Sequence, residues 1–306
     1  MSIATVGVGF EGWYKIEAIR PDGRRRLLAD WFPNIITNLG LNMLGSLPIG
    51  NPAVDRCMVG TGTATPTVSD TQLQNRIATS STVGPNGTGD AVTVGPIADH
   101  YTFFRRPYRF AAGVATGNLT EVGVGNSNTS AFSRALILDG NGNPTTITVL
   151  EDEVLDVFYE LRTYASVADV TANITISGTS YATVLRPAQY PTSWPSAIHI
   201  SGTSTAGMLG EGRTSGALGD ASTGPGGSLV SGGSGSAYEF IGAYVNNSYQ
   251  RDMRYTWGLN SGNADFHSVF LVNSYGRWKA SFSPALAKRN TNILTLDLRV
   301  TWARRT

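Results

Sequence analysis

Arg109-Phe-Ala-Ala-Gly113-Val-Ala-Thr-Gly117-Asn118 and Arg254-Tyr-Thr-Trp-Gly258-Leu-Asn-Ser-Gly262-Asn263 share one pattern. It reads Arg, aromatic, two variable positions, Gly, aliphatic, one variable position, Thr or Ser, Gly, Asn. Glycines at fixed offsets behind an apolar stretch mark a strand running into a turn. Further along, Ala135-Leu-Ile-Leu-Asp139-Gly140 resembles Val269-Phe-Leu-Val-Asn273, each followed by a turn and a strand. Each stretch then closes on a long alternating segment, Leu155 to Tyr164 and Ile293 to Trp302. The pattern is that of one β-domain duplicated in the chain. It predicts an all-β fold of two tandem β-domains, residues 1–165 and 166–306, with a boundary near 165.

Composition agrees with that class. The 306 residues include 36 Gly and only 15% charged residues, against an average of roughly 25%. Many turns, few charges and enough apolar residues for a core suit a β-protein whose surface is covered by other subunits. Lys and Arg number 23 and Asp and Glu 22, so net charge gives no reason to expect nucleic-acid binding. The first segment carries 12 basic and 15 acidic groups and the second 11 and 7, a split that could bring halves of neighbouring subunits together. No apolar run approaches the ~18 residues of a membrane helix, so no membrane insertion is expected. Met1-Ser2-Ile3-Ala4-Thr5 lacks the basic region and apolar stretch of a signal peptide. The single Cys57, between Arg56 and Met58, reads as a buried inert thiol and excludes an internal disulfide.

Strand signals begin with the alternation of residues 13–20, the turn Pro21-Asp22-Gly23 and a return through Arg24–Leu28. Residues 34–45 change period, with apolar positions at 35, 36, 39, 41 and 44, and predict the one short helix. Ser69–Leu73 could cap a single helical turn. Residues 101–110 read as an edge strand because of Pro107, and Asp139–Pro144 as a hairpin turn. Residues 134–138, 145–150 and 154–164 are expected strands, as are 238–245, 253–259, 268–273, 277–282 and 293–303. Between them, residues 202–237 hold 12 of the 36 glycines and read as a linker or a segment laid against another subunit.

Chemistry-bearing motifs are scarce. Gly7-Val-Gly9-Phe-Glu-Gly12 matches a dinucleotide fingerprint, but a strand-like alternation follows it where a helix is required. His100, His199 and His267 are scattered and fit no metal-ligand spacing. Glu151, Asp152 and Glu153 with Asp156 and Glu160 form one acidic cluster; paired carboxylates could hydrolyse glycosides, but charges after a turn are ordinarily solvated. No regular short repeat of a β-helical depolymerase is present. Arg24–Arg26, Arg105–Arg106 and Arg304–Arg305 are short basic runs, read as phosphate contacts or as salt bridges. Tyr181, Tyr190, Trp194, Tyr244, Tyr249, Trp257, Tyr275 and Trp278 crowd the second half and suit either sugar recognition or core packing. The reading assigns no catalytic, cofactor or metal residues and expects no enzyme.

Three segments carry a family resemblance. They are Asn34-Ile-Ile-Thr-Asn38-Leu-Gly40-Leu, Val59-Gly-Thr-Gly-Thr63-Ala-Thr-Pro-Thr-Val-Ser-Asp70-Thr-Gln-Leu73, and Tyr108-Arg-Phe110 through Gly117-Asn-Leu-Thr-Glu121-Val-Gly123-Val to Phe132-Ser-Arg134-Ala135-Leu. Together they resemble virion structural proteins of tailed bacteriophages, the tail-fibre, baseplate and adsorption-apparatus family, over residues 10–165. The resemblance implies that the two tandem domains are β-sandwich-like, in a non-enzymatic subunit of the virion tail made in the bacterial host cytoplasm. It would assemble as a symmetric homo-oligomer, a trimer in the first instance, with other tail proteins as partners. It would dock by its N-terminal part. A module binding a host surface glycan, and a capsid decoration or head-fibre protein, are the alternatives.

Overall fold

The computed structural model describes residues 2–46, 53–85, 101–165, 168–188, 210–220, 225–230, 237–273 and 275–305. A long strand β1 (Ser2–Ile19) returns as β2 (Arg25–Ile36) and is followed by α1 (Asn38–Ser46), β3 (Arg56–Gly60) and β4 (Arg76–Ser80). Next come β5 (Tyr101–Phe110), β6 (Gly117–Leu119), β7 (Glu121–Gly125), β8 (Ser133–Leu136), β9 (Ile147–Val149) and β10 (Val154–Ala165). The remainder holds β11 (Val170–Ile176), β12 (Thr179–Pro187), β13 (Gly210–Arg213), β14 (Ala237–Phe240), β15 (Gln250–Trp257), β16 (Asp265–Asn273), β17 (Gly276–Ala287) and β18 (Leu294–Arg304). The fold is all-β, with a single short helix among the described residues.

β1 organises the molecule. One edge pairs antiparallel with β10 over residues 8–19. The other edge takes two partners in succession, β18 in parallel along residues 2–10 and β2 antiparallel along 12–19. β5 extends the sheet beyond β10, and β15 then β14 extend it beyond β18. These strands form a floor, and two roofs cover one face of it. Where β2 leaves β1 its last residues pair with β8, which starts the roof β8-β7-β3-β4. The other roof is the five-stranded sheet β11-β12-β17-β16-β13. Alternation decides the faces. Tyr14, Ile16, Tyr159, Leu161, Leu298 and Val300 point to the roofs and are buried. A single hydrophobic cluster runs under both roofs, so the floor is common to two sandwiches. The break at residues 165/166 separates β10 from β11, but the floor crosses it, because β18 lies against β1.

The helix is shorter at its start than the apolar spacing of 34–45 predicts. Residues 34–36 belong to β2, where Ile35 pairs with Arg134 and Ile36 with Ser133. β-branched Ile35-Ile36 fits a strand as well as a helix face. Thr37 then caps the helix: its Oγ1 accepts from Gly40 N at 2.9 Å and donates to Ala131 O at 2.7 Å. The helix is a wedge between the two sandwiches. Gly40 lies so close to Phe132 O that a Cβ would sit 2.1 Å from it. On the other side Trp302 Nε1 donates to Leu41 O and the Tyr275 hydroxyl to Leu44 O.

The two halves carry matching contacts, although β10 runs antiparallel to β1 and β18 parallel to it. Arg109 on β5 faces Asp156 on β10 and holds it by two 2.8 Å hydrogen bonds. Arg254 on β15 faces Asp297 on β18 and does the same at 2.8 Å twice. Each unit also turns on an Asx side chain. Asp139 Oδ1 accepts from Asn141 N and Asn143 N, and Asn273 Oδ1 from Tyr275 N and Gly276 N. Pro107 sits on the outer strand of the floor, where the lost N–H costs no ladder bond. Ser69–Leu73 forms no helical turn; Asp70 instead closes a turn by accepting from the Thr67 amide and hydroxyl. Of the glycine-rich residues 202–237, 210–213 form β13 and pair with β16; residues 202–209, 221–224 and 231–236 lie outside the described residues.

Candidate interaction face

The sequence candidates are engaged within the chain. Gly7, Gly9 and Gly12 lie inside β1, and no helix follows to receive a phosphate. Cys57 is fully buried, and burial raises its thiol pKa, so it is no nucleophile. His267 is exposed on β16; His100 and His199 lie outside the described residues. No group of three metal-ligating side chains gathers among the described residues.

The acidic cluster and the basic runs turn out to be each other's partners. Glu153 receives Arg26 at 2.7 Å and, at 3.1 Å, the Leu150 amide. Burial would raise its pKa, yet these bonds hold it below the usual carboxylate range. Asp156 is fully buried between Arg109 and Arg25. Glu160 receives Arg105 at 2.5 Å and Arg162 at 2.7 Å. Glu151 and Asp152 are left in solvent. Arg304 binds Ile36 O and Asn38 Oδ1, and so closes the seam between β18 and the helix. The three buried carboxylates of this group, Glu153, Asp156 and Glu160, are each bound by arginine.

The crowded aromatics of the second half divide. Tyr181, Trp257, Tyr275 and Trp278 are buried in the core, with Trp257 edge-on to Phe266 at 5.6 Å. Tyr244 and Tyr249 are half-buried near the helix, while Tyr190 and Trp194 lie outside the described residues.

Both roofs occupy one face of the floor, which leaves the other face outward. Over β2, β1, β10 and β5 this outward face carries a ladder of cations and rings. Arg305 lies 3.6 Å over Tyr164, and Arg162 4.5 Å over Trp13 and 4.8 Å over Tyr101. Arg105 reaches across β10 to Trp31 at 4.8 Å, and Lys15 lies 5.8 Å from Phe158. The Tyr164 hydroxyl donates to Glu11 at 2.5 Å; burial, then that carboxylate, push its pKa up to about 12. Glu17 is bound by Lys15 and Arg25, which outweigh burial and lower its pKa. Rings and arginine are the side chains enriched where protein surfaces meet. The sequence reading missed this face because its residues are spread over four strands and alternate with core positions.

The three segments with the family resemblance also converge. Glu121, fully buried at the start of β7, accepts from Gly62 N, Asn75 N, Gln74 N and Arg134 Nε at 2.7–3.1 Å. Arg134 continues to Asp70 at 2.6 Å and to Ala64 O at 3.0 Å. One buried carboxylate thus fixes the loop between β3 and β4 against β7 and β8. Beside it a cleft of about 320 Å³ opens between Pro33, Ile35, Pro66, Leu136, Leu138 and Pro144. Its walls are apolar, and its charged member Arg134 is already paired. No family model matches this chain, and searches of curated proteins and of solved structures return no match.

Proposed function

We propose that this chain is a structural subunit of a bacteriophage tail, of the fibre or baseplate, that assembles with copies of itself and supports adsorption to the host. The observation that carries the reading is the package around Glu121 and Arg134. Of the three segments that resemble tail proteins, 59–73 and 108–136 meet there in one buried ionic network, and 34–41 joins them through backbone contacts, Ile35 opposite Arg134 and Asn38 N to Val68 O. The network spends its charges on backbone amides and on itself, as a load-transmitting scaffold requires and a catalytic centre does not. The outward face adds a surface of interface composition on a rigid sheet. A glycan platform is less well supported. Sugars stack on open ring faces, whereas Trp13, Tyr101, Trp31 and Tyr164 are capped by the chain's own guanidinium groups.

The test is quantitative mass spectrometry of purified virions of the phage or prophage that encodes the chain. A tail subunit is found in tail fractions, at a copy number set by tail symmetry. A copy number matching capsid symmetry moves the protein to the head, and absence from the particle removes the structural reading.

A further inference from the structure

The chemistry of the outward face of β2, β1, β10 and β5 also selects an occupant. We infer that it is covered by the same face of a second copy of this chain. The inference rests on the homo-oligomeric part of the reading just proposed.

Charge is the first argument. A polyanion or a strongly basic partner needs unpaired charge on the surface it binds. Here Glu17, Asp156 and Glu160 each already hold a cation, and Glu11 holds the Tyr164 hydroxyl. Of the cations in the ladder, Arg305 is bound to a ring alone among the described contacts. What the face presents is a run of neutralised pairs between half-buried rings. Such a surface best fits another surface of the same kind.

Its pattern matches itself as well. In register across β1, β10 and β5 the rows read Glu11-Arg162-Phe103, Trp13-Glu160-Arg105, Lys15-Phe158-Pro107 and Glu17-Asp156-Arg109. Acids, bases and rings are interspersed over these rows, and the neighbouring acids Glu17 and Asp156 share Arg25. Laid on itself about a two-fold axis, such a patch of paired charges brings no excess of either sign against its like. A two-fold contact uses one patch twice, so it requires this self-complementarity.

Size is sufficient. Outward residues of a sheet stand about 6.8 Å apart along a strand and about 4.8 Å across it, so about twenty positions cover roughly 650 Å². Two copies would bury about 1,300 Å², within the range of stable, specific interfaces. The face continues onto β18 and β15 as a polar rim, through the pairs Arg254–Asp297 and Arg299–Asp252.

The experiment is sedimentation velocity and light scattering on the full chain from 1 to 100 µM. The expected particle is an even multiple of 32.5 kDa. Two variants then dissect it. Trp13→Ala with Arg162→Glu removes the centre of the ladder. Gly9→Gln places bulk on the face, where a Cβ would make only ordinary contacts, 3.6 Å or more, with Arg305 and Tyr164. Its fold is therefore undisturbed even if the first variant is unstable. Both are expected to weaken self-association at least 100-fold, while Val245→Lys, on an exposed loop elsewhere, leaves it unchanged. A monomer at every concentration, an odd-numbered assembly, or an assembly that both variants retain overturns the inference. The virion experiment stands apart from this one. A chain present in tails that does not self-pair overturns only the interface, and a self-paired chain absent from virions overturns only the tail reading.

Discussion

Arg109–Asp156 and Arg254–Asp297 are one device in two settings. Both are bidentate pairs, both face outward on the floor, and both tie the last strand of a repeat to its partner. The arginines are exposed alike, at 35% and 37%, but the Asp156 side chain is fully buried and that of Asp297 is 15% exposed. In the first setting β2 adds Arg25, and rings surround the pair's strands. In the second the neighbours are Asp252 and Arg299, and no ring ladder lies on that face among the described residues. What the two repeats share, the pair, the turn and the alternation, belongs to the fold. What only one has is the layer of rings and guanidiniums. It is there that a partner is to be sought.

The comparison assumes that both halves fold as one body, and the helix is where that assumption breaks. Gly40→Ala drives a Cβ into Phe132 O, a backbone atom that cannot swing aside. Overpacking of this kind should cost about 3 kcal/mol. Because the same helix carries Trp302 and Tyr275, the loss should reach the second half. Guanidinium unfolding followed by tryptophan fluorescence, dominated there by buried Trp257, Trp278 and Trp302, should shift to a lower midpoint along with the far-ultraviolet signal. A fluorescence transition that stays in place while the other moves would show two independent halves.

Removing the carboxylates separates the two settings next. Asp156→Ala takes a fully buried acceptor from two arginines and should cost about 2–3 kcal/mol, the range for hydrogen bonds to charged groups. Asp297→Ala releases a half-exposed guanidinium to water and should cost under about 1 kcal/mol. Denaturant titrations of the two variants give the difference directly; equal losses would mean that burial does not distinguish the repeats.

Much of the frame could be read from the sequence, for a physical reason. The repeat shows itself because Arg, Gly and Asn mark hairpin ends, where backbone geometry restricts residue choice. The hairpin at Pro21-Asp22-Gly23 is legible on the same ground, with Gly23 at φ 83°. The first half of β1 is not, because Gly7, Gly9 and Gly12 lower strand propensity and imitate a phosphate loop. Gly12 is bare because Asn34 packs on it, 2.5 Å from where a Cβ would stand, and a contact across a sheet leaves no local trace. β11 and β12 do alternate, but Thr and Ala fill many of their positions and such small side chains give a weak apolar signal. The candidate face was hidden for a related reason. Arg26 and Glu153, or Arg105 and Glu160, are 127 and 55 residues apart, so each charge run looks like an unpaired surface until the strands are in register.

Acid titration should sharpen the contrast by a smaller amount. Hydrogen bonds from Arg299 and Arg254 lower the pKa of Asp252 and Asp297, and Glu17 and Glu153 are lowered despite burial. A carboxylate with a lowered folded pKa contributes stability above its unfolded value, near 4, and that contribution is lost as pH falls through the folded value. The unfolding midpoint should therefore drop steadily below about pH 4. Arg299→Gln should flatten part of that slope, and a variant as acid-sensitive as the parent would show that the pair carries no linked stability.

The smallest expected effect tests the comparison most directly. If the ring ladder serves a partner rather than the fold, Trp31→Ala should hardly change the stability of a dilute monomer. Trp31 gives Arg105 a stacking surface, worth about 0.5–1 kcal/mol at a partly exposed site, and Arg105 keeps its bond to Glu160 when the ring is gone. The rings alone should thus cost less than Asp156→Ala, although they are much the larger side chains. Urea titrations of Trp31→Ala and Asp156→Ala at a concentration below self-association give the ranking. If the ring proves as costly as the carboxylate, the ladder is a packing layer of the first sandwich. The difference between the two repeats is then one of architecture, and the face loses its claim to a partner.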